Sequence, residues 1–138
     1  PALHAVQSEA CAPLYRVYKE NLTELPDISF SETIAEGIRI RRPARWKAIL
    51  RAIRETDGSV VTVSEREILI AQRELGRQGL YVEPTSAVAV AGLHAAHQAS
   101  PGQASLDPHL CQPLAGKGER FRRSLVIPLT GSGLKAPS

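Results

Sequence analysis

The 138 residues include no methionine and only two cysteines. A small secreted chain stapled for want of a core carries more cysteine, so a disulfide scaffold is excluded and a reducing, cytoplasmic compartment is expected. Nowhere do about 18 apolar residues run uninterrupted, and the first 30 residues lack a basic stretch followed by an apolar one. No membrane span and no signal peptide is readable. Internal repeats and low-complexity tracts are absent as well. The missing methionine, with an opening Pro-Ala-Leu-His that reads as mid-strand, leads us to expect part of a longer protein.

What is there is ordinary globular composition, 43% hydrophobic and 22% charged, which excludes disorder and collagen and suits one domain over 1–138. Seventeen Lys plus Arg against fourteen Asp plus Glu leaves +3, too small an excess to imply nucleic acid. Its distribution is uneven: Arg39, Arg41, Arg42, Arg45, Lys47, Arg51 and Arg54 follow one another with no acid between.

Ala2 to Ser8 reads as a strand, and Pro13 suits the first turn of a helix continuing through Leu14 to Glu20. Asn21 to Phe30 reads as a loop. Pro43 is expected to open a second helix, where Trp46, Ile49, Leu50 and Ile53 make one apolar stripe and Lys47, Arg51 and Arg54 the opposite face, with Gly58 as its C-cap. Ser59 to Val63 is β-branched. Ser64 with Glu67 three residues on predicts a capping box, opening a helix that Gly79 stops. In that helix Ile68, Leu69, Ile70, Ala71 and Leu75 predict cover on two sides. Leu80 to Val82 reads as a short strand, and Pro84 opens a helix to about His97 whose small residues permit close packing or a ligand's approach. Residues 98–123 read as a long loop or insertion, and Ser124 to Leu129 as a last strand running into Thr130-Gly131-Ser132-Gly133. This alternation predicts an α/β fold, a mainly parallel sheet with helices on both faces, whose ligands sit beyond the strands' carboxyl ends.

Several constellations compete with plainer readings. His94, His97, His109 and Cys111 match no standard zinc spacing, so no metal is expected. Ser132 lacks the G-x-S-x-G frame, because position 130 is Thr. Cys11 near a helix N-terminus suits a lowered pKa, but a buried small hydrophobe is the commoner identity of such a cysteine. The basic run with Trp46 suits phosphates and a stacked base, yet Trp46 shares the stripe of Ile49 and Ile53 and reads as core. The glycine turn at Thr130 fits either a structural role or a flat heteroaromatic ligand. Its hydroxyl, donor or acceptor, tolerates an unprotonated pyridine nitrogen, where a carboxylate would favour pyridinium.

Four segments then stand together in order: residues 6–13 (VQSEACAP), 32–38 (ETIAEGI), 82–87 (VEPTSA) and 129–135 (LTGSGLK). They resemble the C-terminal part of the threonine synthases, within the tryptophan-synthase-beta-like (fold type II) pyridoxal-phosphate enzymes. The resemblance covers about residues 1–93 and 124–135. It implies pyridoxal phosphate as cofactor and conversion of O-phosphohomoserine and water to threonine and phosphate. It also implies site roles for Thr130 and Gly131 at the ring nitrogen, Ala35 to Gly37 along one ring face, and Glu83 beneath the site.

The chain also departs from the family pattern. The Ser-x-Lys-type segment whose lysine carries the cofactor, the Asn-containing loop beside the ring and the glycine-rich phosphate loop are not found, and Lys19, Lys47, Lys117 and Lys135 lie in other contexts. The 98–123 stretch is longer than the family's usual connection, and Ala136 stands where Asp is common. The expectation is therefore a lyase portion, inactive alone, that needs the missing N-terminal part of the enzyme and forms a homo-oligomer. The alternatives are a non-catalytic ligand- or protein-binding module with the same fold, and a related amino-acid dehydratase.

Overall fold

β1 (Ala5–Ser8) and β2 (Val60–Val63) pair in parallel, Ala5 opposite Val60 through Ser8 opposite Val63. The structure is a computed structural model that describes residues 1–99 and 125–128. Between the strands run α1 (Pro13–Glu20), a 3-10 turn (Glu36–Ile38) and α2 (Trp46–Glu55); after β2 come α3 (Glu65–Arg77) and α4 (Pro84–Ala99).

Side chains of successive strand residues point to opposite faces, so each strand feeds two cores. One face carries Val60 and Ala5 into a cluster with Leu14 and Val17 of α1 and Leu50 and Ile53 of α2. The other carries Val63 and Val6 against Ile68, Ala71 and Leu75 of α3 and Ala87, Val88 and Ala91 of α4. The expected sheet with helices on both faces is what forms. The small residues of α4 serve close packing: a Cβ on Gly92 would lie 2.3 Å from Val6 Cγ2, so the helix sits almost on β1.

Local chemistry explains the ends. Ser64 caps α3, its Oγ accepting from the Glu67 amide while Glu67 Oε2 accepts from the Ser64 amide at 2.7 Å, the predicted capping box. Gly79, at φ +83°, ends α3, with the Leu80 amide donating to the Leu75 carbonyl at 2.9 Å. The end of α2 differs from expectation. Its left-handed residue is Asp57 (φ +54°), and the Gly58 amide donates back to the Ile53 carbonyl at 2.8 Å. Gly58 is required for another reason, since a Cβ there would lie 1.7 Å from the Leu3 carbonyl oxygen.

Four further expectations are corrected. α2 begins at Trp46, because residues 43–45 form only a turn closed by the Trp46 amide on the Pro43 carbonyl. Ile49 is 37% exposed, so the buried stripe is Leu50 and Ile53 with Trp46 packed at its margin. On α3 the buried face is Ile68, Ala71 and Leu75, while Leu69 and Ile70 remain 39% and 41% exposed, flanking a face covered on one side. Strand signals in 80–82 and 125–128 yield only an isolated bridge at Val82 and no strand, Val126 being 85% exposed with no ladder partner among the described residues. β-Branched composition favours a pleated surface only where a neighbouring strand supplies the pairing.

Two glycines should separate the causes at work. Gly58→Ala is expected to lower stability by about 1–3 kcal/mol, because the new methyl meets backbone that cannot swing aside. Gly76→Ala, in α3 with nothing within 4 Å of the new Cβ, should raise it by about 0.5–1 kcal/mol through the restricted unfolded chain. Denaturant melts of the two variants beside wild type decide the matter; a neutral Gly58→Ala would contradict the close approach of Leu3.

Candidate functional site

The C-terminal end of β1 is held by a carboxylate that sequence reasoning did not single out. Glu65, the first residue of α3, accepts from the Ser8 hydroxyl at 2.8 Å and the Thr33 hydroxyl at 2.7 Å on Oε1, and from the Ile34 amide at 2.8 Å on Oε2. Thr33 Oγ1 in turn accepts from the Ala35 amide at 3.1 Å, and Ser8 Oγ from the Ala10 amide at 3.2 Å. Ser8 and Thr33 are buried. Partial burial pushes the Glu65 carboxyl upward, but the hydrogen bonds from Thr33, Ile34 and Ser8 outweigh it and hold the group below its ordinary value. The signal for Glu65 was an acid at the first helical position beside hydroxyls on a strand end and a loop.

This network presents the segment 33–37. Ala35 is wholly buried, in one cluster with Ala87, Val88 and Ala91 of α4. The 3-10 turn that follows leaves Glu36 and Gly37 exposed. Gly37 lies against the start of α4, where a Cβ on it would meet Thr85 Oγ1 at 3.1 Å and Cγ2 at 3.2 Å. The Glu83 carbonyl accepts from the Ser86 and Ala87 amides at 3.0 and 3.2 Å, and its side chain is half-buried. Three residues singled out from sequence, Ala35, Gly37 and Glu83, thus stand around the junction of the 3-10 turn with the first turn of α4. Ala35 reaches it from below, as an anchor in the core. Thr130 and Gly131 lie outside the described residues, as do Ser132, His109, Cys111, Lys117 and Lys135.

Other candidate groups take plainer roles. Cys11 is a free thiol, 1% exposed, and burial raises its pKa against the opposing fields of Arg39 and Arg41. His94 Nδ1 lies 3.7 Å from Glu74 Oε2, and no group of three His, Cys, Asp or Glu side chains comes together among the described residues. Trp46 packs at the edge of the α1–α2 core with the Lys47 ammonium 5.3 Å from its ring centroid, not as an open stacking platform. No helix among the described residues is long and apolar enough to cross a membrane.

Residues 1–106 match the family model described as pyridoxal-phosphate dependent enzyme. The chain is 38% identical over 94 residues to the threonine synthase of Methanosarcina acetivorans, covering 67% of this chain and 23% of that protein. It is 33% identical over 138 residues to the threonine synthase of Bacillus sp. (strain ULM1), covering 99% of this chain and 32% of the relative. In structure it is similar to a threonine deaminase from T.th., with a TM-score of 0.55 and 29% identity over 71% of this chain and 35% of that one. The chain spans about a quarter to a third of the length of these curated relatives.

The Glu65 network makes a pH prediction. A carboxyl held below its unfolded value contributes stability that is complete above about pH 4.3 and is lost as pH falls through the lowered folded value. Glu65→Gln should therefore cost about 1–3 kcal/mol at neutral pH, and the wild-type and variant melts should converge under acid. Glu67 is lowered by its bonds to Ser64 in the same way, so both proteins keep a residual acid limb. An equal deficit at every pH would show that the ionised form of Glu65 has no special role.

Proposed function

The chain belongs to the pyridoxal-phosphate dependent enzyme family, and from that premise we propose that it forms the C-terminal portion of a threonine synthase-like lyase. The observation carrying this reading is the junction of Glu36–Gly37 with Glu83–Thr85, two segments 46 positions apart that meet at the carboxyl end of a parallel strand. A flat ring needs a face of backbone free of side chain. Gly37 is exposed and offers one on the side away from Thr85, which fills the space a Cβ would take at 3.1 Å, while Glu65 holds the Thr33 hydroxyl and the Ile34 amide just before it. The residues present therefore fit the cofactor.

In this reading the exposed backbone of Glu36 and Gly37 would help hold the cofactor ring, with Ala35 anchoring the segment. The Glu83 side chain would stand close to the cofactor, and the Thr130 hydroxyl, beside Gly131, would hydrogen-bond its ring nitrogen. Bound pyridoxal phosphate supplies an electron sink for the amino-acid substrate. A hydroxyl at the ring nitrogen would tolerate that nitrogen unprotonated, because it can donate where a carboxylate only accepts. In this reading the lysine that carries the cofactor and the loops that cradle its phosphate would come from the N-terminal part of the enzyme, since no segment of these 138 residues matches them. The substrate is O-phosphohomoserine, with threonine and phosphate as products, and the assembly is a cytoplasmic homo-oligomer. The threonine synthase relatives at 32–38% identity over two thirds or more of the chain support this choice.

Two measurements test it. On this chain alone, borohydride treatment with pyridoxal phosphate should fix no stoichiometric label on one particular lysine; such a label would overturn the division of labour. In the assembled holoenzyme, Thr130→Val should weaken cofactor affinity or turnover by roughly 1–3 kcal/mol, one buried hydrogen bond, with Thr130→Ser tolerated. An assembled enzyme that deaminates threonine and releases no phosphate from O-phosphohomoserine would replace the reading by a dehydratase.

A further inference from the structure

A concave region continues from the 3-10 turn, between residues 26–28 and 39–42, a cleft of about 470 Å³. Three of its lining side chains are Arg39, Arg41 and Arg42, and one is Asp27. No hydrogen bond or ion pair engages any of the three guanidinium groups among the described residues. Arg41 is placed by an aromatic face, its Cζ 4.3 Å from the Phe30 ring centroid. The neighbouring Ser31 amide donates to the Ala10 carbonyl at 3.1 Å, which ties this wall to the chain leaving β1. The other wall starts directly from the 3-10 turn, where the Arg39 amide donates to the Glu36 carbonyl at 3.0 Å.

We propose that this cleft binds a small phosphate monoester or free phosphate as a dianion. Three guanidinium charges less one carboxylate leave +2 in the cleft, which complements a phosphate carrying about −1.5 to −2 at neutral pH. Planar guanidinium groups give phosphate two parallel hydrogen bonds each, a geometry that point-charge ammonium groups do not offer. A volume of this order holds the phosphate and a few carbons of a carrier. Pro26, Ile28 and Ile40 line the space beside the charges and would meet such a carrier. The arginines of α2 make a contrast within the same basic run, since Arg51 already lies 3.7 Å from Glu55. The site needs no cofactor, so it stands or falls separately from the proposed lyase function.

The full chain is titrated with inorganic phosphate at about 0.15 M sodium chloride, near physiological ionic strength, following backbone amide resonances. Saturable shifts confined to 26–28 and 39–42 are expected. The double variant Arg39→Gln/Arg42→Gln should weaken binding about ten-fold or more. Asp27→Asn should tighten it by about two- to five-fold through removal of a like charge, a gain that misfolding cannot imitate. Arg51→Gln should leave it unchanged. A parallel titration with O-phosphohomoserine separates the sources: tighter binding than inorganic phosphate assigns a phosphorylated amino acid, and equal binding assigns free phosphate. Shifts that do not saturate, or equal losses from Arg51→Gln and from the double variant, would reduce the arginines to a solvated basic face and overturn the proposal.

Discussion

A single carboxylate gathers the end of β1, the loop before the 3-10 turn and the start of α3 onto two oxygen atoms. Glu65 accepts from Ser8, Thr33 and Ile34, and the hydroxyls of the buried Ser8 and Thr33 would otherwise be polar atoms at the margin of an apolar core. Burying such groups without partners costs more than forming their hydrogen bonds returns. The constraint is thus chiefly negative: the segment 33–37 has few other places to lie. The position of Glu65 in the first turn of α3 adds the favourable field of a helix N-terminus. The Ser64–Glu67 capping box immediately beside it fixes where that turn begins.

From that anchor the packing of α4 sets what meets what. Gly92 lets α4 lie against Val6 of β1, and Ala87, Val88 and Ala91 enclose Ala35. The first turn of α4 is thereby brought to Gly37. Small residues are needed on both sides, because an added Cβ at Gly37 or Gly92 would crowd Thr85 or Val6. Close helix–strand packing and the site are consequences of one choice of residue size. The other face of the sheet, with Leu14, Val17, Leu50 and Ile53, supports β1 and β2 without reaching the junction.

What could be read from the residues follows the range of the forces involved. The capping box at Ser64 and Glu67 and the stop at Gly79 are local devices, complete within a few positions, and both were legible. The two-faced α/β sheet was legible from alternation of strand and helix patterns. The 3-10 turn at Glu36–Ile38 carries no periodicity, and only the likeness to a family drew notice to Ala35 and Gly37. Glu65 was missed because its partners are 57 and 31–32 positions away. Gly58 was noticed for the wrong reason: Asp57 takes the left-handed conformation, while the Leu3 carbonyl, brought from 55 positions earlier, leaves room only for a hydrogen. Strand propensity at 125–128 likewise finds no ladder partner among the described residues.

The central claim is that Glu65 holds the 33–37 segment in place, and amide hydrogen exchange reads it directly. At neutral pH the Ile34 and Ala35 amides, bonded to Glu65 and to Thr33, should exchange slowly in the wild-type chain. In Glu65→Ala both should lose at least about ten-fold in protection, the equivalent of one lost hydrogen bond, while the Leu80 amide at the far end of α3 keeps its own. Unchanged protection of Ile34 and Ala35 in the variant would contradict the account.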